Sequence, residues 1–270
     1  MLYFHNDYNE SCHPAVMKKM QENMGKQMGG YGVDTACERA AEMIRCLCKK
    51  DDLSVHFLVG GTQTNLTVIA AALRPHQAAL GAETAHINVH ETGAIEATGH
   101  KVIGLPTKDG KITAEQVRCT LDAHFADEAH EHIPQPKMIY ISNPVLAEDF
   151  RYIMKQHGAM LAKGWLLGLQ YEALLENDLY FKIASHADGL ADKIRATLSE
   201  LHYPLLVEGV TNQIFPILPD VLLDKLKENF TFSEQLRVDD THRAVRFCTS
   251  WATSAEAVDA LCNELKKLSD

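Results

Sequence analysis

The sequence predicts an α/β fold, a three-layer sandwich around a mainly parallel sheet, with a smaller C-terminal α+β domain after it. Two observations carry that expectation. Between residues 54 and 142 short apolar runs alternate with segments of helical pattern, and KMIYIS (137–142) is apolar almost throughout, as a strand buried on both faces has to be. After residue 150 the alternation stops: residues 151–203 are helical in pattern and short strand-like runs follow. The boundary is expected near residue 185, giving a large domain over 1–185 and a small one over 186–270.

In chain order, HPAVMKKMQENM (13–24) reads as a helix with proline in its first turn. GGYGVD (29–34) is a glycine-rich loop, and residues 35–48 form a second helix with Ala40, Met43, Ile44 and Leu47 on one face. SVHFLV (54–59) is a strand candidate, and TNLTVIAAALRP (64–75) is the helix after it, stopped by Pro75. HINVH (86–90) reads as a short strand or turn leading into a helix over ETGAIEATG. KVIGLP (101–106) is a strand, and KDGKITAEQVRCTLDAHF (108–125) a turn followed by a helix. Beyond a long helix near 180–200, strands are expected in YPLLVEG, NQIFPILP, FSEQLRV and AVRFCTSW, with helices at 220–229 and 254–268.

Composition narrows the function classes. The 270 residues are 46% apolar, enough for a substantial core, and the formal net charge is −10 with no basic run. Nothing in that balance suggests nucleic acid or an anionic membrane as a partner. No stretch of eighteen uncharged apolar residues occurs, and MLYFHNDYNE does not read as a signal peptide. Seven cysteines is an odd number; Cys46 and Cys48 are two apart and the others are scattered, which fits neither a disulfide framework nor a zinc knuckle. A reducing, cytoplasmic setting is expected.

Four segments carry chemistry. GGTQTN follows the strand candidate at 54–59, and a glycine pair there lets the chain turn sharply into a helix whose first N–H groups lack partners. With the hydroxyls of Thr62 and Thr64 and the helix dipole, Gly60, Gly61, Thr62 and Gln63 can form a cup for a phosphate; a threonine-capped turn explains the same letters. Neither GxxxxGK[ST] nor GxGxxG is present. TAHINVHETGAIEATGHK (84–101) holds His86, His90, Glu91 and Glu96; a flat imidazole here could stack on an aromatic cofactor or move protons, or be an ordinary core or surface histidine. His86 and His90 are four apart, but no carboxylate stands at a known ligand spacing, and no metal site is expected. His130 and His132, in DEAHEH, read as solvated. Arg246 lies in an apolar run and must find an anion, either the carboxylate of a small substrate or a structural salt bridge. Asn6 and Asp7 form a polar turn, and Tyr31 in its glycine loop could reach a ligand from this or a neighbouring subunit.

Together, FHNDYNESCHP, YGVD, VHFLVGGTQTNLTVIAAALRP, HINVHETGAIEATGHKV, KMIYISNP, DFRYIMKQHGAMLAKG, TNQIFPILP and AVRFCTSWAT resemble the threonine aldolase and β-eliminating lyase family. Those are pyridoxal-phosphate enzymes of the aspartate-aminotransferase fold. The resemblance implies that Gly60, Gly61, Thr62 and Gln63 hold the cofactor phosphate, and that His86 stacks on the pyridine ring and handles a substrate proton. It implies that Asn6 and Arg246 bind the substrate carboxylate, and that Tyr31 and Glu91 lie near the site. The expected reaction is cleavage of Cα–Cβ in a β-hydroxy amino acid, threonine giving glycine and acetaldehyde, or a β-elimination. A homodimer or homotetramer is the expected assembly.

The chain departs from that pattern after YISNP. The family carries there an aspartate in a DGAR-like segment, which pairs with the pyridine nitrogen, and then the Schiff-base lysine in a GGTK-like segment. Neither segment occurs, and YISNP runs straight into VLAEDFRYIMKQ, so a deletion of several dozen residues is expected between Pro144 and Val145. Lys155 and Lys163 are the nearest lysines but fall in family segments with other duties. No Schiff-base lysine is identified, covalent attachment of the cofactor is in doubt, and a non-catalytic binding or assembly protein is the alternative expectation.

Overall fold

The structure, a computed structural model, describes residues 1–141 and 149–269. The expected junction at Pro144 and Val145 lies outside the described residues. The chain divides into two compact units, Gly25–Glu172 and Met1–Met24 with Ala173–Asp270. No local sequence pattern announces that the first 24 residues group with the C-terminal part.

Within Gly25–Glu172, three parallel strands lie in the order Lys101–Leu105, Gln77–Ala82, Gln135–Ile139. The outer two are the expected strands at 101–106 and 137–142, the second shifted toward its N-terminus. The middle strand, QAALGA, stands out in no sequence pattern: it has no β-branched or aromatic residue, yet all six of its residues are buried. Its side chains alternate between two covering layers. Ala79 packs with Ile69 and Leu73, at the C-terminal end of helix Gly61–Ala72, and with Val102. Leu80 packs on the other side with Leu105 and with Val117 of helix Ala114–Ala126. This is the expected α/β sandwich. The ladder to Gln135–Ile139 slips by one residue where Ala78 faces Pro136 and Ala79 faces Met138. Proline has no N–H for the ladder, and the extra residue, Lys137, bulges there.

Four expectations are corrected. SVHFLV (54–59) forms no strand among the described residues; its side chains are packed instead, with Phe57 4.9 Å from Tyr171 and His56 5.1 Å from Phe150 between ring centres. HINVH is neither strand nor turn alone but one helical turn, His86–Val89. The helix expected over ETGAIEATG is broken at its start, because Thr92 (φ 52°) and Gly93 (φ 74°) are left-handed, and only the 3₁₀ turn Glu96–Thr98 forms. In the other unit YPLLVEG makes a single bridge, Leu205 to Pro216, rather than a strand.

The second unit has the expected α+β character. Gln213–Ile214, Ile217–Pro219 and Ser233–Arg237 all pair antiparallel with His242–Cys248. Helices Leu179–Glu200 and Ala255–Ser269 supply Ile194, Leu198, Val258 and Leu261 to its core, against Phe247. The N-terminal strand Leu2–Tyr3 runs parallel to Phe230–Thr231, and the next residue, Phe4, is fully buried beside Phe230 and Phe247.

Helices Thr35–Cys48 and Trp165–Leu175 meet so closely that a Cβ on Gly168 would stand 2.5 Å from the Cys37 nitrogen and 2.8 Å from the Ala36 carbonyl carbon. Gly168→Ala adds helix propensity of about 1 kcal/mol, but the obstructing atoms are backbone and cannot rotate away. A net loss of about 1–3 kcal/mol is expected in urea unfolding. The same contact encloses Cys37, whose thiol is pushed up to about 12 by burial and by the neighbouring Asp34 carboxylate. Cys248 is likewise pushed up to about 12 by burial and by Asp7. A raised thiol pKa removes thiolate at neutral pH and restores it only as pH climbs to 12. At pH 8 only about one thiol in ten thousand at either position is ionised. A disulfide reagent at pH 8 should therefore label the exposed Cys46 and Cys48 in the native protein, and Cys37 and Cys248 only after unfolding.

Candidate active site

In an open α/β sheet, ligands bind beyond the carboxyl ends of the strands. The unit Gly25–Glu172 has a cavity of about 610 Å³ at that place, lined by Gly60, Gly61, Asn65, His86, Ile139 and Tyr140 among others. One wall is the start of helix Gly61–Ala72. Gly60 is fully extended, and the first intrahelical bond runs from the Thr64 amide to the Gly60 carbonyl at 3.0 Å. The amides of Gly61, Thr62 and Gln63 precede it and have no helical acceptor. A Cβ added to Gly60 or Gly61 would meet no atom within 4 Å, so the two glycines leave the mouth of the helix clear. The Thr64 hydroxyl turns back to the Gly60 carbonyl at 2.9 Å, leaving backbone amides rather than hydroxyls as the main donors. Thr62 is exposed, and the Gln63 side-chain oxygen is buried without a partner.

His86 lines the same cavity. Its Nδ1 lies 2.8 Å from Oε1 of Glu91, whose side chain is wholly enclosed while the imidazole is 56% exposed. Asn65 donates from Nδ2 to the same Oε1 at 2.6 Å, and that Nδ2 stands 3.3 Å from the Tyr140 hydroxyl. The other carboxylate oxygen of Glu91 is buried with no partner. His90 stacks obliquely on His86, ring centres 5.6 Å apart.

The cavity thus brings together Gly60, Gly61 and His86 of the expected residues, with Glu91 behind His86. It does not include Tyr31, which sits elsewhere in this unit: its amide bonds the Ala162 carbonyl and its ring lies 4.7 Å from the Lys155 amine. Lys163 is exposed. Of the two histidines expected to be solvated, His132 is exposed, whereas His130 is partly covered by Phe125 and His124. Asn6 and Arg246 belong to the other unit. There the Arg246 guanidinium donates to the His5 carbonyl at 3.1 Å, its Nε is buried unpaired, and no carboxylate pairs with it among the described residues. Asn6 accepts from the Tyr8 amide at 3.0 Å in a local turn. Sequence reasoning missed Asn65 and Tyr140. Asn65 is the last residue of GGTQTN, one turn past Gly61, and Tyr140 follows a strand end, so both positions were readable as site-facing.

Residues 9–146 match the model of the β-eliminating lyases. The chain belongs to the β-eliminating lyase family. A solved Leishmania major threonine aldolase superimposes on this lyase-family chain with a TM-score of 0.94 at 30% identity, covering 100% of each chain. A low specificity L-threonine aldolase of Pseudomonas aeruginosa is 22% identical, covering 97% of this chain and 96% of the relative. That alignment runs over 340 positions against 270 residues here, so at least 70 positions are filled by the relative alone. A Sphingomonas wittichii serine palmitoyltransferase shares the fold, with a TM-score of 0.66 at 10% identity over 98% of this chain and 86% of its own. The family and fold are those of pyridoxal-phosphate lyases acting on small amino acids. No helix among the described residues is long and apolar enough to cross a membrane.

The residues present fit one end of pyridoxal phosphate. Three unpaired amides at an unobstructed helix start suit its phosphate, and a half-exposed imidazole lining the same cavity suits a flat ring. They offer no amine: no lysine among the described residues lines the cavity, and residues 142–148 contain none.

Proposed function

We propose that this chain is a pyridoxal-phosphate-binding lyase relative that takes a β-hydroxy amino acid but holds the cofactor by its phosphate and ring, without a lysine bond and without turnover. The cavity at the start of helix Gly61–Ala72 supports this reading most directly, having phosphate donors and an imidazole but, among the described residues, no lysine on its walls. In the proposal Gly60, Gly61, Thr62 and Gln63 bind the phosphate through backbone N–H groups, helped by the positive end of the helix dipole. When bound, the cofactor supplies an electron-withdrawing ring that stabilises negative charge at Cα of an amino acid. His86 stacks beside that ring and presents its free nitrogen to a substrate hydroxyl proton. Arg246, which has no carboxylate partner among the described residues, and Asn6 are assigned the amino acid's carboxylate. A cytoplasmic homodimer or homotetramer is the proposed state; the family resemblance supports the oligomer, and cysteines that are all free support the compartment.

The test begins with an intact mass, which should match the 270 residues. The full chain is then incubated with pyridoxal phosphate, gel-filtered, and measured before and after borohydride. Retained cofactor, displaced by inorganic phosphate and giving no reduced adduct in the mass spectrum, is expected, along with no acetaldehyde from threonine. Gly61→Val, which places a side chain in the mouth of the helix, should weaken retention roughly tenfold or more, about 1.4 kcal/mol. A borohydride-fixed adduct on one lysine with threonine cleavage would overturn the claim of non-covalent holding. Failure to retain any cofactor would overturn the whole reading.

A further inference from the structure

We infer that Glu91 and Asn65 are positioning residues that hold His86 in its Nδ1–H tautomer, so that Nε2 is the proton acceptor of the cavity. What that acceptor does to a ligand rests on the function proposed above; the tautomer itself does not. Carboxylate oxygens accept hydrogen bonds, and Oε1 of Glu91 already accepts from the Asn65 amide, so the 2.8 Å contact with His86 Nδ1 points to a proton on Nδ1. A neutral imidazole has one N–H, and Nε2 is therefore left with its lone pair. The same logic fixes the ring of a metal-binding histidine through the carboxylate behind it.

Asn65 makes this arrangement specific. Its amide donates at 2.6 Å to the very oxygen that His86 uses, and the Tyr140 hydroxyl lies 3.3 Å from the same nitrogen. Glu91 is thus clamped between helix Gly61–Ala72 and the ring, its Oε1 holding two donors and its enclosed Oε2 none. A buried carboxylate with one unpaired oxygen is costly, and losing a further donor makes its present position harder to keep. Asn65 stands one turn beyond Gly61 on the helix whose amides face the cavity. A shift of that helix start is therefore transmitted to the carboxylate, and through it to the ring.

Nitrogen NMR of the full chain labelled at histidine reads this directly, with His86→Gln used only to assign the ring. In alkaline solution, wild-type His86 is expected to show Nδ1 in the protonated, pyrrole-type range and Nε2 in the unprotonated, pyridine-type range. Asn65→Leu and Glu91→Gln, each checked by circular dichroism, should move the two resonances toward each other as the Nε2–H form of an unconstrained ring becomes populated. Wild-type resonances in the reverse order would overturn the inference without any variant having to fold. Folded variants with unchanged ring resonances would overturn it for the residue replaced; if Asn65→Leu does not fold, Asn65→Ser is measured against the same expectation. The measurement needs no cofactor, so a protein that fails to retain pyridoxal phosphate but shows the Nδ1–H ring refutes only the proposed function.

Discussion

The strand Gln77–Ala82 is enclosed on every side, and the position of the site follows from that constraint. Neighbouring strands take its ladder on both edges and helices cover both faces, so all six residues are buried. Ile69 of helix Gly61–Ala72 is pressed against Ala79, a contact of the kind that stabilises by about 1.5–3 kcal/mol per buried large side chain. The chain leaves the strand through a short turn fixed by Glu83 N–H to the Leu105 carbonyl and Ala85 N–H to the Ala82 carbonyl, both 2.8 Å. His86 comes next. A helix packed by Ile69 and an imidazole anchored a few residues past the strand end are thereby brought within reach of one carboxylate, Glu91.

Much of this was legible because it was periodic or punctuated. The helix over Thr35–Cys48, the strand at Lys101–Leu105 and the long helix Leu179–Glu200 each carry their period or their stops in the sequence. The central strand was not legible, for a physical reason. Local patterns detect strands through branched and aromatic side chains, whereas a strand enclosed by four neighbours has room for QAALGA. SVHFLV had the opposite fault: its composition suits a strand, but the ladder partner it needs is a tertiary matter. ETGAIEATG had helical composition and failed on two left-handed residues, Thr92 and Gly93, which propensity does not weigh.

The site divides in the same way. The glycines and His86 could be singled out because each has a chemical signature within a few residues. Asn65 was readable as site-facing from its place in GGTQTN, but not its role, which is defined by Glu91, 26 positions away, and by Tyr140, 75 positions away. Two side chains of middling polarity become informative only once folding sets both against a buried carboxylate. Glu91 itself is one of two acids in HINVHETGAIEATGH, and nothing in the local pattern marks it as the buried one. Its enclosure is what separates it from Glu96, which is exposed.

The relation between the two ends of the cavity bears on what a site without a lysine could hold. A charge at a helix start gains about 0.3–1 kcal/mol when exposed and up to about 2 when partly buried. Glycine amides alone would therefore leave a phosphate ligand weakly bound and free to swing. A covalent bond to lysine would normally remove that freedom; in its absence, orientation has to come from whatever faces the ring. A mobile surface histidine would add little, since fixing its own side chain would cost entropy on each binding event. An imidazole already held by Glu91, and a Glu91 already held by Asn65, bear that cost during folding instead. Were the ligand held without a lysine bond, as proposed, the polar network behind His86 would be suited to supply that orientation. Occupancy would then rise and fall with free cofactor concentration, as for any ligand bound by mass action.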